Sequence, residues 1–533
     1  MRLSLLNISN HLKIDVFSDQ IEKGKTYNIS LDKLRKDLHL TENKIRKYTP
    51  YVNAGSISSA LFNKVIANKE KVASLQVKQG NIRGKIKELE KERDENIPKG
   101  IIKGLEVIAL QHVLCKSEIS VSVKSDISSK IAAIFEGAKS YQVMYDLRKT
   151  IEGSNNGTSV LHKLVYEDVD VPSCHRILIA INKNVQRAYQ RNPNQIKFIH
   201  MVYSDIDDTI KGSLNDRASH VKGFYPSAME FIKEFALKNK KNSNNEGLNQ
   251  EPEVSLTFLS ARPKSQSKRW NKTLSRKFPK GTKFYGLYGS SSSFMQGVQY
   301  YCLKFLASLG KRVPSKWLKK VIHDISMSKE RNTFISFAID KKQNIDRDLL
   351  LRPEVRPLMI GDCGEGDLIF LLVKMMGIPS PIKDDRIPEE YRGTGKWDGK
   401  EEEPGNPVNR PLSLAFAHAI SSDTEYVVRP DPTNREAYLR DLQTYVFDNY
   451  VDNALYCLQQ KKLDREAAER VVKVSKEWIK PELSKMEKIF KGLGIANILE
   501  ITEEQLNRFP PDIKYRLKLI RSIVSFDLYI SSL

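Results

Sequence analysis

The residues that could do chemistry stand in four short stretches. Ser204-Asp205-Ile206-Asp207-Asp208-Thr209-Ile210-Lys211 sets three carboxylates directly after the apolar run Met201-Val202-Tyr203. Ser260 closes a second apolar run, Val254-Ser255-Leu256-Thr257-Phe258-Leu259. Gly361-Asp362-Cys363-Gly364-Glu365-Gly366-Asp367 closes a third, Pro357-Leu358-Met359-Ile360. Between the last two lies Lys341, with Lys342 beside it. Carboxylates crowded together repel one another unless a cation lies among them, and an oxygen-only cluster suits a hard ion such as Mg2+. Asp205, Asp207, Asp362 and Asp367 are therefore the candidate metal ligands.

A carboxylate attacks a phosphate dianion only when charge is neutralised, which a bridging metal does while aligning the attack. Asp205 is the candidate nucleophile. Asp207, two residues on, is placed near the leaving oxygen. A crowded carboxyl can keep a proton, so Asp207 is the candidate general acid and then base. The Ser260 hydroxyl and neighbouring N–H groups are candidates to hold phosphate oxygens. The ammonium of Lys341 would stabilise the transferring phosphoryl charge. Lys341 heads a helical pattern with Ile345 and Leu349; Lys342 is nearly as good, and either alone reads as an ordinary surface lysine, so the motif order points to this position without choosing between the two. Arg262 can fork onto a phosphate, with structural pairing to a carboxylate as its competing role. The plain alternative for the first stretch is a solvated Asp-rich loop after a strand.

Such residues must be positioned by strands. Short apolar runs alternating with helical patterns imply βαβ units and a parallel sheet, and all three runs carry their polar residues at the same end. Ligands bind at the carboxyl ends of such strands. The expected divisions are a mostly helical region over 1–100, a mixed region of unassigned role over 101–195, the α/β domain over 196–380, an extended linker over 381–430, and a helical domain over 431–533. Residues from Ser58 to about Asn96 read as a charged helical hairpin or packing arm rather than a long coiled coil. That stretch ends at the stop signals Pro98 and Gly100. Lys238 to Glu253 reads as a polar loop. From Thr433, which with Glu436 makes a capping box, the chain reads as helical, with Tyr445 and Val446 in its apolar stripe.

The chain has 533 residues, enough for several domains, and its 40% hydrophobic content supplies cores for them. No apolar run is long enough to span a membrane, and the start lacks the core of a secretory signal. A cytoplasmic protein, peripheral on membranes at most, is expected; export without such a signal stays open. Five widely spaced cysteines argue against a zinc site or a disulfide framework. The net charge of +22 attracts nucleic acid, acidic lipid or phosphorylated substrates, without choosing among them.

The ordered set Asp-Ile-Asp-Asp-Thr, strand-end Ser, Lys and Gly-Asp-x-Gly-Glu-x-Asp resembles the four motifs of the haloacid dehalogenase superfamily of phosphatases. Within it, Ser204–Lys211 looks like the actin-patch-protein type of phosphatidate phosphatase, and lipins share the Asp-x-Asp-x-Thr pattern. Phe278-Pro279-Lys280-Gly281 resembles that family's Phe-Pro-x-Gly, and Ile360–Asp367 its last motif. The second motif departs from the family: Leu259-Ser260-Ala261-Arg262-Pro263 stands where Ser-Asn-Ser-Pro is usual. The resemblance covers about residues 197–380. It implies a Rossmann-like core and Mg2+-dependent hydrolysis through an aspartyl-phosphate on Asp205. It further implies Asp207 as acid and base, with its carbonyl on the metal, Ser260 and Lys341 as phosphate ligands, and Asp362 as metal ligand. Thr209 and Arg262 are the candidate substrate-binding side chains.

The implied substrate is phosphatidate or a related lipid phosphate. A soluble phosphometabolite, a phosphoprotein or a nucleic-acid end is the alternative, as is a scaffold that keeps the core without catalysis. Lys264, Lys268, Arg269, Lys272, Arg276, Lys277, Lys280 and Lys283 surround Trp270, and Lys311–Lys320 repeats the mixture around Trp317. Cations beside an aromatic suit an anionic membrane surface or single-stranded nucleic acid. A solvated basic face accounts for them equally well. The sequence names no protein partner for the helical flanks.

Overall fold

The computed structural model describes residues 18–48, 59–116, 119–152, 159–193, 196, 199–206, 209–212, 223–244, 256–263, 267–276, 284–289, 336–362, 370, 374, 384–392, 407, 412, 414–418, 444–492 and 498–533. The chain forms two compact units, Met1–Asn155 with Lys163–Ala180, and Asn156–His162 with Ile181–Leu533.

In the first unit, α1 (Ser18–Tyr48) and α2 (Ser59–Asn96) lie side by side. Tyr27 donates to Glu92 at 2.9 Å, Arg35 pairs with Glu90 at 2.8 Å, and Arg83 pairs with Glu42 at 3.1 Å. The partner number falls as the first number rises, so the two helices run antiparallel, as a hairpin. Exposed pairs of this kind contribute little each; among the described side chains, Leu31 and Ile82 are the buried apolar residues on the two helices. α2 ends at Asn96, just ahead of the expected stop signal Pro98, which is the residue before α3 (Lys99–Leu114); Gly100, the other expected stop signal, lies inside α3. Gly100 and Gly104 instead let α5 (Tyr141–Ile151) approach, beyond α4 (Val121–Glu136) in the chain: a Cβ on Gly100 would lie 2.5 Å from Asp146 Cβ, and one on Gly104 would lie 2.5 Å from Thr150 Cβ.

The second unit is built on a six-stranded, all-parallel sheet in the order β3-β2-β1-β4-β5-β6. Its strands are β1 (Ile199–Asp205), β2 (Leu256–Pro263), β3 (Phe284–Gly289), β4 (Val355–Asp362), β5 (Leu414–His418) and β6 (Thr444–Phe447). The protein is thus a mixed α/β molecule. The chain steps outward from β1 to β3, returns to the other side of β1 with β4, and steps outward again. In such doubly wound sheets the crevice lies at the reversal, here between β1 and β4.

The alternation of β1 assigns its two faces. Val202, together with Ile206 just past the strand, packs with Phe231, Ile232 and Phe235 of the helix Ala228–Asn244, and with Phe416, Tyr450 and Val471. Met201 and Tyr203 pack on the opposite face with Ile345 and Leu349 of the helix over residues 336–351. Strands buried on both faces need apolar residues in both phases, which is why these runs are continuous rather than alternating.

Two expected divisions differ from the structure. The linker expected over 381–430 contains β5, which pairs with β4 from Leu358↔Leu414 to Asp362↔His418. The helical domain expected over 431–533 contains β6, with Tyr445 and Val446 in a strand paired to β5. β-Branched and aromatic residues suit a strand once a partner is present, and here that partner is distant in sequence. The helices Tyr450–Gln459, Arg465–Ile479 and Pro511–Ser532 then bury Tyr450, Val471, Leu519 and Phe526 in the same core as the sheet. They belong to the α/β unit. The capping-box residues Thr433 and Glu436 lie outside the described residues. The helix Ala228–Asn244 runs into the polar stretch expected to be a loop.

Candidate active site

Asp205 is the last residue of β1 and stands level with Leu259, one residue before Ser260. On the other side Ser204 pairs with Ile360, so Asp362 extends one step past Asp205 on the neighbouring strand. Asp205, Ser260 and Asp362 therefore share the carboxyl ends of three adjacent strands, and all three are buried.

Lys341 Nζ lies 2.6 Å from Asp205 Oδ1, and both side chains are only 4% exposed. The other oxygen, Oδ2, accepts from the Thr209 hydroxyl at 3.5 Å, at the long limit of a hydrogen bond. The helix over residues 336–351 is fixed in turn. Tyr203 donates to Asp348 at 2.6 Å, and Arg352 also pairs with Asp348. Tyr203 and Asp205 are two apart on a strand and point to the same face. Thus one face of β1 grips Asp348 and, two turns earlier on the helix, Lys341.

Lys342 takes a different position. It pairs with Asp346, which also binds Lys374 at 2.6 Å, and all three side chains are buried. One residue rotates a side chain by about 100° around a helix, so the adjacent lysines address different carboxylates. Lys341 is the one at the strand tips.

The loop after β1 turns back on itself: Ile210 and Lys211 both donate their N–H to Ile206, at 3.2 and 3.1 Å. Lys211 then bridges to Phe224. Tyr450, fully buried, donates its hydroxyl to the Thr209 carbonyl at 2.8 Å. Burial first, then the charges of Tyr515, Asp205 and Asp362, push the Tyr450 phenol well above its usual range, so it remains a donor. His418, paired with Asp362 in register, is packed edge-on against Tyr225 at 4.6 Å and stacked on Phe447 at 5.2 Å. Tyr225, His418 and Tyr450 were not legible as site residues: each reads as an ordinary core aromatic until the sheet brings it to the tips.

Asp207 and Asp367 lie outside the described residues, as do Phe278–Gly281 and the basic stretch 311–320. Arg262 lies in β2 two residues past Ser260; its side chain is outside the described residues. Among the described residues no group of three His, Cys, Asp or Glu is gathered as a metal centre. In the basic belt, Arg269, Lys272 and Arg276 are exposed, whereas Trp270 is buried in the core with Lys211 over its ring at 5.0 Å. The structure thus takes Trp270 away from the exposed cations. No helix among the described residues is long and apolar enough to cross a membrane.

Comparison with family models, with characterised proteins and with solved structures gave no match to this chain.

Proposed function

We propose that the chain is a Mg2+-dependent phosphomonoesterase of the haloacid dehalogenase type, acting through an aspartyl-phosphate on Asp205. The observation that carries this reading is the buried Asp205–Lys341 contact of 2.6 Å at the strand reversal, where a parallel sheet binds its ligands. A buried carboxylate with an ammonium group on one oxygen and a hydroxyl beside the other is held in a single orientation. That is what in-line attack on phosphorus asks of a nucleophile.

In the proposed sequence a carboxylate oxygen of Asp205 forms a bond to phosphorus while the bond from phosphorus to the ester oxygen breaks. Asp207 gives its proton to the departing alcohol. Water then attacks phosphorus, Asp207 takes the proton back, and the Asp205–phosphorus bond breaks to release inorganic phosphate. Ser260 and Lys341 hold the non-bridging oxygens through both steps, and Thr209 and Arg262 help to hold the substrate phosphate. The donor set fits a hard divalent cation: Asp205 and Asp362 offer oxygen from neighbouring strand tips, both shielded from water. Asp205 and Asp362 would hold Mg2+, with Asp207 and Asp367 in the same set. When bound, the ion offsets the negative charge of nucleophile and phosphate.

The proposed substrate is phosphatidate or a related lipid phosphate, delivered at an anionic membrane surface. A second reading keeps the chemistry and changes the substrate to a soluble phosphate ester. The burial of Trp270 favours it, because the exposed cations of the helix Ser267–Ser275 then lack the aromatic that would insert among lipids.

The test is phosphate release with and without Mg2+ from phosphatidate in vesicles, from soluble sugar phosphates and from p-nitrophenyl phosphate. Release should require the ion, and Asp205→Asn should lose at least about 100-fold in turnover with its fold intact. Acid-quenched wild-type protein should carry phosphate on Asp205. Undiminished hydrolysis by Asp205→Asn overturns the mechanism. Preference for vesicles or for soluble esters chooses between the two substrates.

A further inference from the structure

We propose that Tyr450 is a positioning residue of this site, holding the loop after β1 so that Thr209 reaches Asp205. The proposal rests on the phosphatase reading and extends it to a part of the chain that carries no catalytic motif. Tyr450 opens the helix Tyr450–Gln459, directly after β6. Asn449 caps that helix, accepting from the N–H groups of Val451 and Asp452 at 3.1 Å each, which sets where the Tyr450 ring begins. The ring is wedged among Phe447 at 5.0 Å, Phe231 at 5.6 Å and His418 at 5.8 Å. A phenol packed on several sides has one direction for its hydroxyl, and that direction is the Thr209 carbonyl.

The relay then has few steps. Tyr450 holds the Thr209 main chain at 2.8 Å, and the Thr209 hydroxyl stands 3.5 Å from Asp205 Oδ2. The same loop is held once more at Ile210, whose carbonyl accepts from the Tyr225 N–H at 3.0 Å. Tyr225 in turn lies 6.1 Å from Tyr515 of the last helix. The C-terminal helices therefore do more than cover the sheet. They fix the main chain on which a proposed substrate-binding hydroxyl is mounted. Tyr450 touches no reacting atom and acts only through Thr209.

The experiment compares wild type, Tyr450→Phe, Thr209→Val and the double variant, using whichever phosphate ester the wild type hydrolyses fastest. Tyr450→Phe removes one oxygen and should lower kcat about 10-fold while KM stays within about twofold, because ground-state binding is left in place. The double variant should be no slower than Thr209→Val alone, since the second loss acts through the first. Additive losses, or an unchanged kcat in Tyr450→Phe, overturn the proposal. Amide hydrogen exchange gives a readout that needs no activity: the N–H groups of Ile210 and Lys211 should exchange at least about 10-fold faster in Tyr450→Phe. A wild type that releases no phosphate from any ester defeats the phosphatase reading, and the exchange rates then decide the positioning claim alone. Unchanged exchange, or a Tyr450→Phe chain that does not fold, overturns it.

Discussion

Lys341 and Asp205 meet at 2.6 Å with both side chains shut away from water, although they come from a helix and a strand far apart in the chain. Removing one member of such a pair leaves the other charge buried without its compensation, which typically costs about 3–5 kcal/mol. Lys341→Met should therefore destabilise the second unit by several kcal/mol, and adding Asp205→Asn should recover a large part of that loss. Urea unfolding followed by tryptophan fluorescence reads it, since Trp270, Trp317, Trp397 and Trp478 all fall in that unit. Additive costs from the two substitutions would mean that the pair carries no coupling.

His200 sets an acid limit on the same sheet. It is the second residue of β1, opposite Arg356, and burial, followed by the charges of Arg356 and Lys462, lowers its pKa to about 4. The unfolded chain binds this proton near pH 6.5. Between those values the unfolded state holds more protons, so stability falls as pH drops from about 6.5 toward 4, by at most roughly 3 kcal/mol. His200→Gln should flatten that part of the stability curve. An unchanged slope in the variant would show that His200 is not the group responsible.

Gly100 and Gly104 should resist any side chain. A Cβ on Gly100 would also come within 2.6 Å of the Val143 carbonyl oxygen, a main-chain atom that cannot swing aside. Gly100→Ala and Gly104→Ala should each destabilise the first unit by about 1–3 kcal/mol despite the better helix propensity of alanine. Because no tryptophan lies in that unit, the loss should appear in limited proteolysis and circular dichroism while tryptophan fluorescence is unmoved.

Ser227 has φ of 64°, a left-handed conformation that only glycine adopts freely. Its hydroxyl reaches Val471 O and Ser475 Oγ, each at 2.5 Å, joining the helix Ala228–Asn244 to the helix Arg465–Ile479. Ser227→Ala and Ser227→Gly both delete these bonds, but only alanine keeps the backbone strain. The glycine variant should be the more stable of the two by about 1 kcal/mol in thermal or urea unfolding. Equal stabilities would mean that the turn relaxes at no cost.

The sequence by itself determined the parallel sheet around Asp205, Ser260 and Asp362. A strand buried on both faces must be continuously apolar, and its tip must be polar, so the boundary is written in the residues themselves. It also picked out the interval holding the lysine, but not which lysine. Lys341 and Lys342 differ only in helix phase, and phase has meaning only once Tyr203 grips Asp348 and turns the helix against β1. β5, β6 and Tyr450 were decided by tertiary structure alone. Strands as short as Leu414–His418 and Thr444–Phe447 carry too few residues to show a period, and their hydrogen bonds go to a partner that local pattern cannot name. Tyr450 is one aromatic among many in the chain, and it acquires its place beside Thr209 only because the sheet packs against the helix that presents it.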